Sequence, residues 1–240
     1  MSTVVPYFSL KRRNMMMLIF WFYCGCCCGS FLLVVASRTI AGESLGMSRS
    51  HCQFCQCPLH WWELFPVLSF CWQRGRCRTC HHSLPLSLLV WELTAGWCFW
   101  LSPPVNFQST LWLLFLLGFQ LLSIFDSLCW GYPTWLLLPQ IGLTFLLSQQ
   151  SVLAILLESF LYLALLAFNH WHPWIGNGDL DLLWLLLLIL PLTTWCSILL
   201  TASGLGLIWL IKQHHRSLPF LPFLFLSTLL YLTGLVCFSA

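Results

Sequence analysis

Seven apolar stretches follow one another along the chain, at 15–37, 85–102, 108–125, 134–147, 152–168, 180–211 and 220–238. Several are long enough to cross a bilayer, which takes about 20 apolar residues in a helix. In hydrocarbon every backbone N–H and C=O must find a partner, and a helix supplies its own. The 180–211 stretch has 32 residues, too many for one crossing at about 1.5 Å per residue. Pro191, followed by Thr193 and Thr194, marks a turn that divides it into two short helices. The sequence therefore predicts an all-α polytopic membrane protein of about eight transmembrane helices. Charged residues make up only 7% of the chain, against about 25% in soluble domains. The net charge is +3 and no basic stripe is interleaved with aromatics, so nucleic acid is not an expected partner.

The segment between the first two runs, 38–84, is polar and carries Arg38, Arg49, Arg74, Arg76 and Arg78. Lys and Arg collect on cytoplasmic loops, so this loop is expected on that side. Counting crossings then puts Asp126, Asp179 and the basic Lys212 and Arg216 on the same face. Lys11, Arg12 and Arg13 would fall outside, and a start at Met15, Met16 or Met17 removes that conflict. The first run has the basic flank of a secretory signal but is long enough to span, so it reads as a signal anchor. Three regions result. Residues 1–37 form an N-terminal segment and first helix, 38–84 a cytoplasmic Cys-rich loop, and 85–240 a multi-helix membrane domain.

Fourteen cysteines are present, most of them in apolar segments where a thiol acts as a small hydrophobe. Four are placed differently. Cys52-x-x-Cys55 and Cys77-x-x-Cys80 stand 21 residues apart within the polar loop. Two such pairs can set four thiolates tetrahedrally around Zn²⁺, as in a zinc ribbon. Arg74, Arg76 and Arg78 lie beside the second pair, where positive charge favours thiolate. The expectation is a closed, structural zinc that gives a short loop folding energy it cannot draw from a core. A redox pair or unpaired loop thiols are the alternatives, and Cys57, Cys71, His81 and His82 are spare ligands.

The chain has seven acidic residues: Glu43, Glu63, Glu92, Asp126, Glu158, Asp179 and Asp181. Acids in or beside spanning helices are costly and are functional candidates by default. Asp126 closes the apolar run in "LLSIFDSLCWGYPTW", and Asp179 opens one in "GNGDLDLLWLLL". Two carboxylates close together in a partly dry site share one proton, so that one serves as base towards a water and the other as acid towards a carbonyl. That is aspartic protease chemistry. Gly176 and Gly178 let backbone approach the acid closely. Taken alone, Asp179 reads equally as a helix N-cap, and Gly-Asn-Gly-Asp as ordinary turn composition.

The ordered motifs resemble one family, the type IV prepilin peptidases. "GSFLLVVASR" at 29–38 resembles that family's GSFLNVV-x-x-R, and "SRSHCQFC" at 48–55 its RS-x-C-x-x-C. "WELFPVLSFCWQRGRCRTC" at 62–80 is similar to its W-x-x-x-P-x-L-S segment with the second cysteine pair, and "WEL" at 91–93 to its P-x-VEL. Asp126 stands seven residues before Pro133, as in D-x-x-x-x-x-x-P, "GNGD" at 176–179 matches G-x-G-D, and "LPFLPFLF" at 218–225 resembles IPFGPF. The resemblance implies an inner-membrane enzyme that cleaves class III leader peptides from prepilins or pseudopilins at the cytoplasmic face. It implies Asp126 and Asp179 as the catalytic pair, and N-methylation of the new N-terminus with S-adenosylmethionine.

Three positions depart from the family pattern. Leu33 replaces an Asn, Asp181 a Lys, and Ser87 stands where an Arg is expected. Asp181 would raise the pKa of Asp179 if both face one cavity. Glu158 reads as a structural hydrogen bond or a functional acid, His170 and His172 as interfacial loop residues. The fifteen tryptophans read as interfacial anchors, and Cys24, Cys26, Cys27 and Cys28 as lipid- or helix-facing. Two other classes compete with the peptidase: a proton- or cation-relay transporter built on the same acids, and a non-catalytic scaffold carrying a zinc ribbon.

Overall fold

The computed structural model describes residues 15–44, 46, 49–52, 54–172, 175–213 and 218–239. The Lys11, Arg12 and Arg13 cluster, Ser48 and Arg216 lie outside the described residues. Nine α-helices are found among the described residues, and no β-strand. Four are long and apolar enough to cross a membrane: Met15–Ala41, Phe107–Cys129, Val152–Trp171 and Leu192–Lys212. The protein is a helical, multi-pass membrane protein. It divides into two compact units, one over 12–103 and the other over 104–240.

In the first unit, α1 (Met15–Ala41) packs along α3 (Leu86–Leu101), with α2 (Leu68–Trp72) in the loop between them. The two helices come together through small residues. A Cβ added at Gly25 would lie 2.5 Å from the Ala95 carbonyl oxygen, and one at Gly29 would lie 2.7 Å from that of Trp91. Gly25 and Gly29 are one turn apart, the spacing that lets membrane helices approach to backbone contact. Cys26 is fully buried in this seam, while Cys27 is exposed.

The second unit is built around α4 (Phe107–Cys129), whose buried face carries Phe115, Leu116, Phe119 and Ile124. It packs against α5 (Leu137–Leu147) and α9 (Leu221–Ser239), with Phe119 and Phe225 meeting edge to face at 5.3 Å. Helix α6 (Val152–Trp171) packs on α7 (Asn177–Ile189), and α8 (Leu192–Gln213) on α9. The start of α6 is set by Ser151, whose Oγ accepts the Ala154 N–H at 3.3 Å. Apart from Asn169, α6 keeps none of its side chains buried, as befits a helix that faces lipid. Exposed Trp130, Trp135 and Trp171 mark helix ends in this unit.

The 180–211 stretch breaks at Leu190 and Pro191, between α7 and α8. Pro191 has no N–H to offer the Leu187 carbonyl one turn back. The turn between α5 and α6 supplies the missing donors. Gln150 Nε2 donates to Leu187 O at 2.9 Å, and Ser148 Oγ donates to Leu188 O at 2.8 Å. Glu158 Oε2, on α6, is buried with no hydrogen-bond partner among the described residues.

Candidate functional site

Asp126 sits on the last turn of α4, which ends at Trp130 in a left-handed conformation. Its Oδ2 accepts the N–H of Leu221, the first residue of α9, at 3.2 Å. Ser123, one turn earlier, shares its hydroxyl proton between Phe119 O at 3.0 Å and the Leu221 carbonyl at 3.3 Å. The end of α4 is thus tied to the start of α9 through both backbone groups of one residue, Leu221.

Asp179 lies in the first turn of α7, ahead of the apolar run and outside the four helices of spanning length. The N-cap position belongs to Gly176, three residues earlier, so Asp179 is free of the capping role its sequence context allowed. It is half-buried, and its carboxyl is pushed up to about 7 by burial first, then by the negative charge of Asp126, then by that of Asp181. The Asp126 charge thus contributes to the push on Asp179 from 53 positions away in sequence.

The glycines before Asp179 make room for different neighbours. A Cβ at Gly176 would lie 3.1 Å from Asp179 Oδ2, whereas one at Gly178 would lie 2.8 Å from the Tyr132 ring. Tyr132 OH is 3.1 Å from Gly178 O and 3.2 Å from Asp181 Oδ2. It carries one hydroxyl proton, which these two acceptors share. Burial and the Asp181 charge hold that proton on, raising the Tyr132 pKa. The other oxygen of Asp181 accepts a 2.6 Å hydrogen bond from Tyr162 OH, and the Tyr162 ring stacks on Trp184 at 4.6 Å. Asp181 thus points into a pair of tyrosines while its charge still reaches Asp179.

A second fastening holds the turn before α7. Buried Asn169 donates through Nδ2 to Ile175 O at 2.7 Å and to Asn177 Oδ1 at 2.8 Å, and its Oδ1 accepts the Ile175 N–H at 3.2 Å. Tyr132, Tyr162 and Asn169 were not marked by any sequence pattern. Only their tertiary partners reveal them. His170 and His172 lie at the end of α6, with His172 against Phe168.

In the other unit, Cys52, Cys55, Cys77 and Cys80 place their four Sγ atoms within 4.8 Å of one another. The Cys52–Cys80 and Cys55–Cys77 pairs are 3.9 and 4.0 Å apart. Four thiolates around one zinc at about 2.3 Å sit roughly 3.8 Å from each other, so the cluster fits that ion. The two halves repeat one backbone turn. Cys52 N–H donates to Cys57 O and Gln56 N–H to Cys52 O, while Cys77 N–H donates to His82 O and His81 N–H to Cys77 O. Gln56 and His81, at matching places, both have positive φ. The N–H groups of Cys80 and Thr79 hold the Cys77 thiol down to about 7. The arginines have a different use: Arg78 reaches His60 at 3.2 Å and lies 5.8 Å over the Trp62 ring. Cys57, Cys71, His81 and His82 stay outside the ligand cluster, and His82 packs on Phe54 at 3.4 Å.

The fold and these two sites define a multi-pass membrane protein with a four-cysteine cluster that could hold a metal ion, and with two carboxylates at helix ends, Asp126 and Asp179. Residues 23–103 match the family model described as the bacterial peptidase A24 N-terminal domain. That match covers α1 from Tyr23 onward, the Cys-rich loop and α3, and it is consistent with the type IV prepilin peptidase family. Neither the curated proteins nor the solved structures contain a match to the chain.

Proposed function

We propose that this chain is a membrane aspartyl endopeptidase that removes class III leader peptides from prepilins or pseudopilins. The observation that carries the reading is the placement of two carboxylates at helix ends, Asp126 in the last turn of α4 and Asp179 in the first turn of α7. Burial and the Asp126 charge both raise the pKa of Asp179. A pair so coupled holds one proton between pH values where separate carboxylates would hold none. Asp126, with Oδ2 engaged by the Leu221 N–H, serves as the base, and Asp179 as the acid. Asp126 takes a proton from the attacking water as its oxygen bonds to the scissile carbonyl carbon. Asp179 gives its proton to the carbonyl oxygen, forming a neutral tetrahedral diol. Collapse returns a proton through the pair to the leaving amine and breaks the C–N bond.

The metal-binding loop supports the same reading without entering the chemistry. Cys52, Cys55, Cys77 and Cys80 would hold a structural zinc, which contributes folding energy when bound. The arginines of 38–84 support an active site at the cytoplasmic face of the cell membrane, with residues 85–240 supplying the peptidase helices. Methylation of the new N-terminus with S-adenosylmethionine rests on the family resemblance. Transfer of labelled methyl groups to the cleaved substrate tests it. A relay transporter would keep its acids near mid-membrane. Asp126 and Asp179 instead occupy helix ends.

The test is cleavage of a prepilin-like substrate by the full chain in proteoliposomes, measured against pH. The working form keeps its proton on Asp179, so kcat should fall as pH rises through about 7. A rate that stays level from pH 6 to about 9 would remove the acid role from Asp179. Asp181→Asn takes away one of the negative charges that push Asp179 up; its single amide oxygen can still accept from Tyr162, while Tyr132 keeps the Gly178 carbonyl as its acceptor. The falling limb should then move to lower pH. A limb that does not move shows that the Asp181 charge fails to reach the site.

A further inference from the structure

Val67 stands at φ 61 and ψ −52, a conformation that a β-branched residue rarely adopts. Its N–H donates to Glu92 Oε2 at 2.8 Å. Glu92 is buried and belongs to α3, six residues beyond Leu86, or about 9 Å along the helix. The chain around Val67 is therefore held beside the first two turns of an apolar helix and not beyond its end. From this tether it runs directly into α2.

The surface at that level is apolar and cationic together. Phe65, Leu68 and Trp72 are 42%, 60% and 91% exposed. Arg74, Arg76 and Arg78 follow, all exposed. The same side chains line an open hollow of about 920 Å³. The hollow holds one acid, Glu63, whose Oε2 already accepts the His60 N–H at 2.7 Å. Aromatic side chains with guanidinium groups are the composition of the lipid headgroup level, where rings sit below the phosphates and Arg pairs with them.

We propose that the 65–78 segment docks on the bilayer as an interfacial anchor for anionic phospholipid. Phe65, Leu68 and Trp72 enter the upper acyl region, and Arg74, Arg76 and Arg78 take lipid phosphates. Charge complementarity selects this occupant: Arg74, Arg76 and Arg78 are exposed, Arg78 also holding His60 and the Trp62 ring, against one engaged carboxylate. The anchor is independent of whether Asp126 and Asp179 are catalytic.

The experiment is hydroxyl-radical footprinting of the full chain, read by mass spectrometry at Trp72, with Trp91, buried in the α1–α3 seam, as the fold control. The chain is compared in phosphatidylglycerol nanodiscs, phosphatidylcholine nanodiscs and a lipid-free non-ionic amphipol. Trp72 should oxidise at least about fivefold more slowly in phosphatidylglycerol than in amphipol, the effect of even one arginine paired at the membrane surface. Protection should weaken in phosphatidylcholine, and in the Arg74→Gln, Arg76→Gln, Arg78→Gln triple variant with Trp91 unchanged. Wild type at about 1 M salt, where the Debye length falls to about 3 Å, gives the same test without substitution. Equal oxidation of Trp72 in phosphatidylglycerol and amphipol overturns the proposal. So does equal protection in both lipids that neither salt nor the triple variant reduces. Protection that appears only when substrate peptide is added assigns this face to substrate and overturns it as well.

Discussion

Asp179→Asn, inserted in the membrane at wild-type level, should process a co-expressed prepilin-like substrate about 10³-fold more slowly, the midrange for losing a general acid. Asparagine matches the aspartate in size and removes the proton that the carbonyl oxygen must receive. Asp126→Asn should lose activity to a similar extent, and the fold should tolerate it, because an amide oxygen can still accept the Leu221 N–H that now meets Oδ2. The double variant should be no slower than either single one, since groups that act as a unit do not lose rate additively. Immunoblotting separates precursor from mature substrate and reports the enzyme level in the same membranes. Normal processing by either single variant would reduce that aspartate to a structural residue and end the two-carboxylate reading.

The second large effect is expected at the cysteines. Chain purified without chelator should contain about one zinc per molecule, and Cys52→Ser with Cys77→Ser should contain none, because each change takes a ligand from one half of a closed four-thiolate shell. Structural zinc is worth roughly 10–16 kcal/mol to zinc-finger peptides at neutral pH, far more than this short loop can recover from packing. In the variant the 49–84 segment should open to protease at Arg74, Arg76 and Arg78 while the helices resist. Elemental analysis and limited proteolysis read the two outcomes separately. A wild-type chain with four freely titrating loop thiols and no metal would refute the assignment.

Much of this architecture was legible along the chain because its causes are local. Pro191 ended α7 and opened α8 through a missing N–H, and the cysteine pairs came together at the spacing that a tetrahedral ion needs. Helix ends were less legible. The apolar run that stops at Phe125 belongs to a helix continuing to Cys129, which carries Asp126 into its final turn. Asp179 had the composition of an N-cap, but the backbone gives that place to Gly176. The partners of the site were not legible at all. Tyr132 meets Asp181 across 49 positions, Tyr162 meets it across 19, and Val67 meets Glu92 across 25. Such pairs follow from how helices pack in three dimensions, and no periodicity of 3.6 residues encodes them.

Helix α7 has 13 residues, about 20 Å of rise against a hydrocarbon layer of about 30 Å. A lone helix of that length would leave its last carbonyls in lipid or force the bilayer to thin. Gln150 and Ser148 seal those carbonyls from the side, while Asn169 and Tyr132 fasten the opposite end. A helix closed off at both ends has no need to reach water on the far side. Its depth is set by its neighbours in the protein, so hydrophobic mismatch in a thicker or thinner host membrane falls on lipid-facing helices such as α6. The carboxylate at the head of α7 keeps its level.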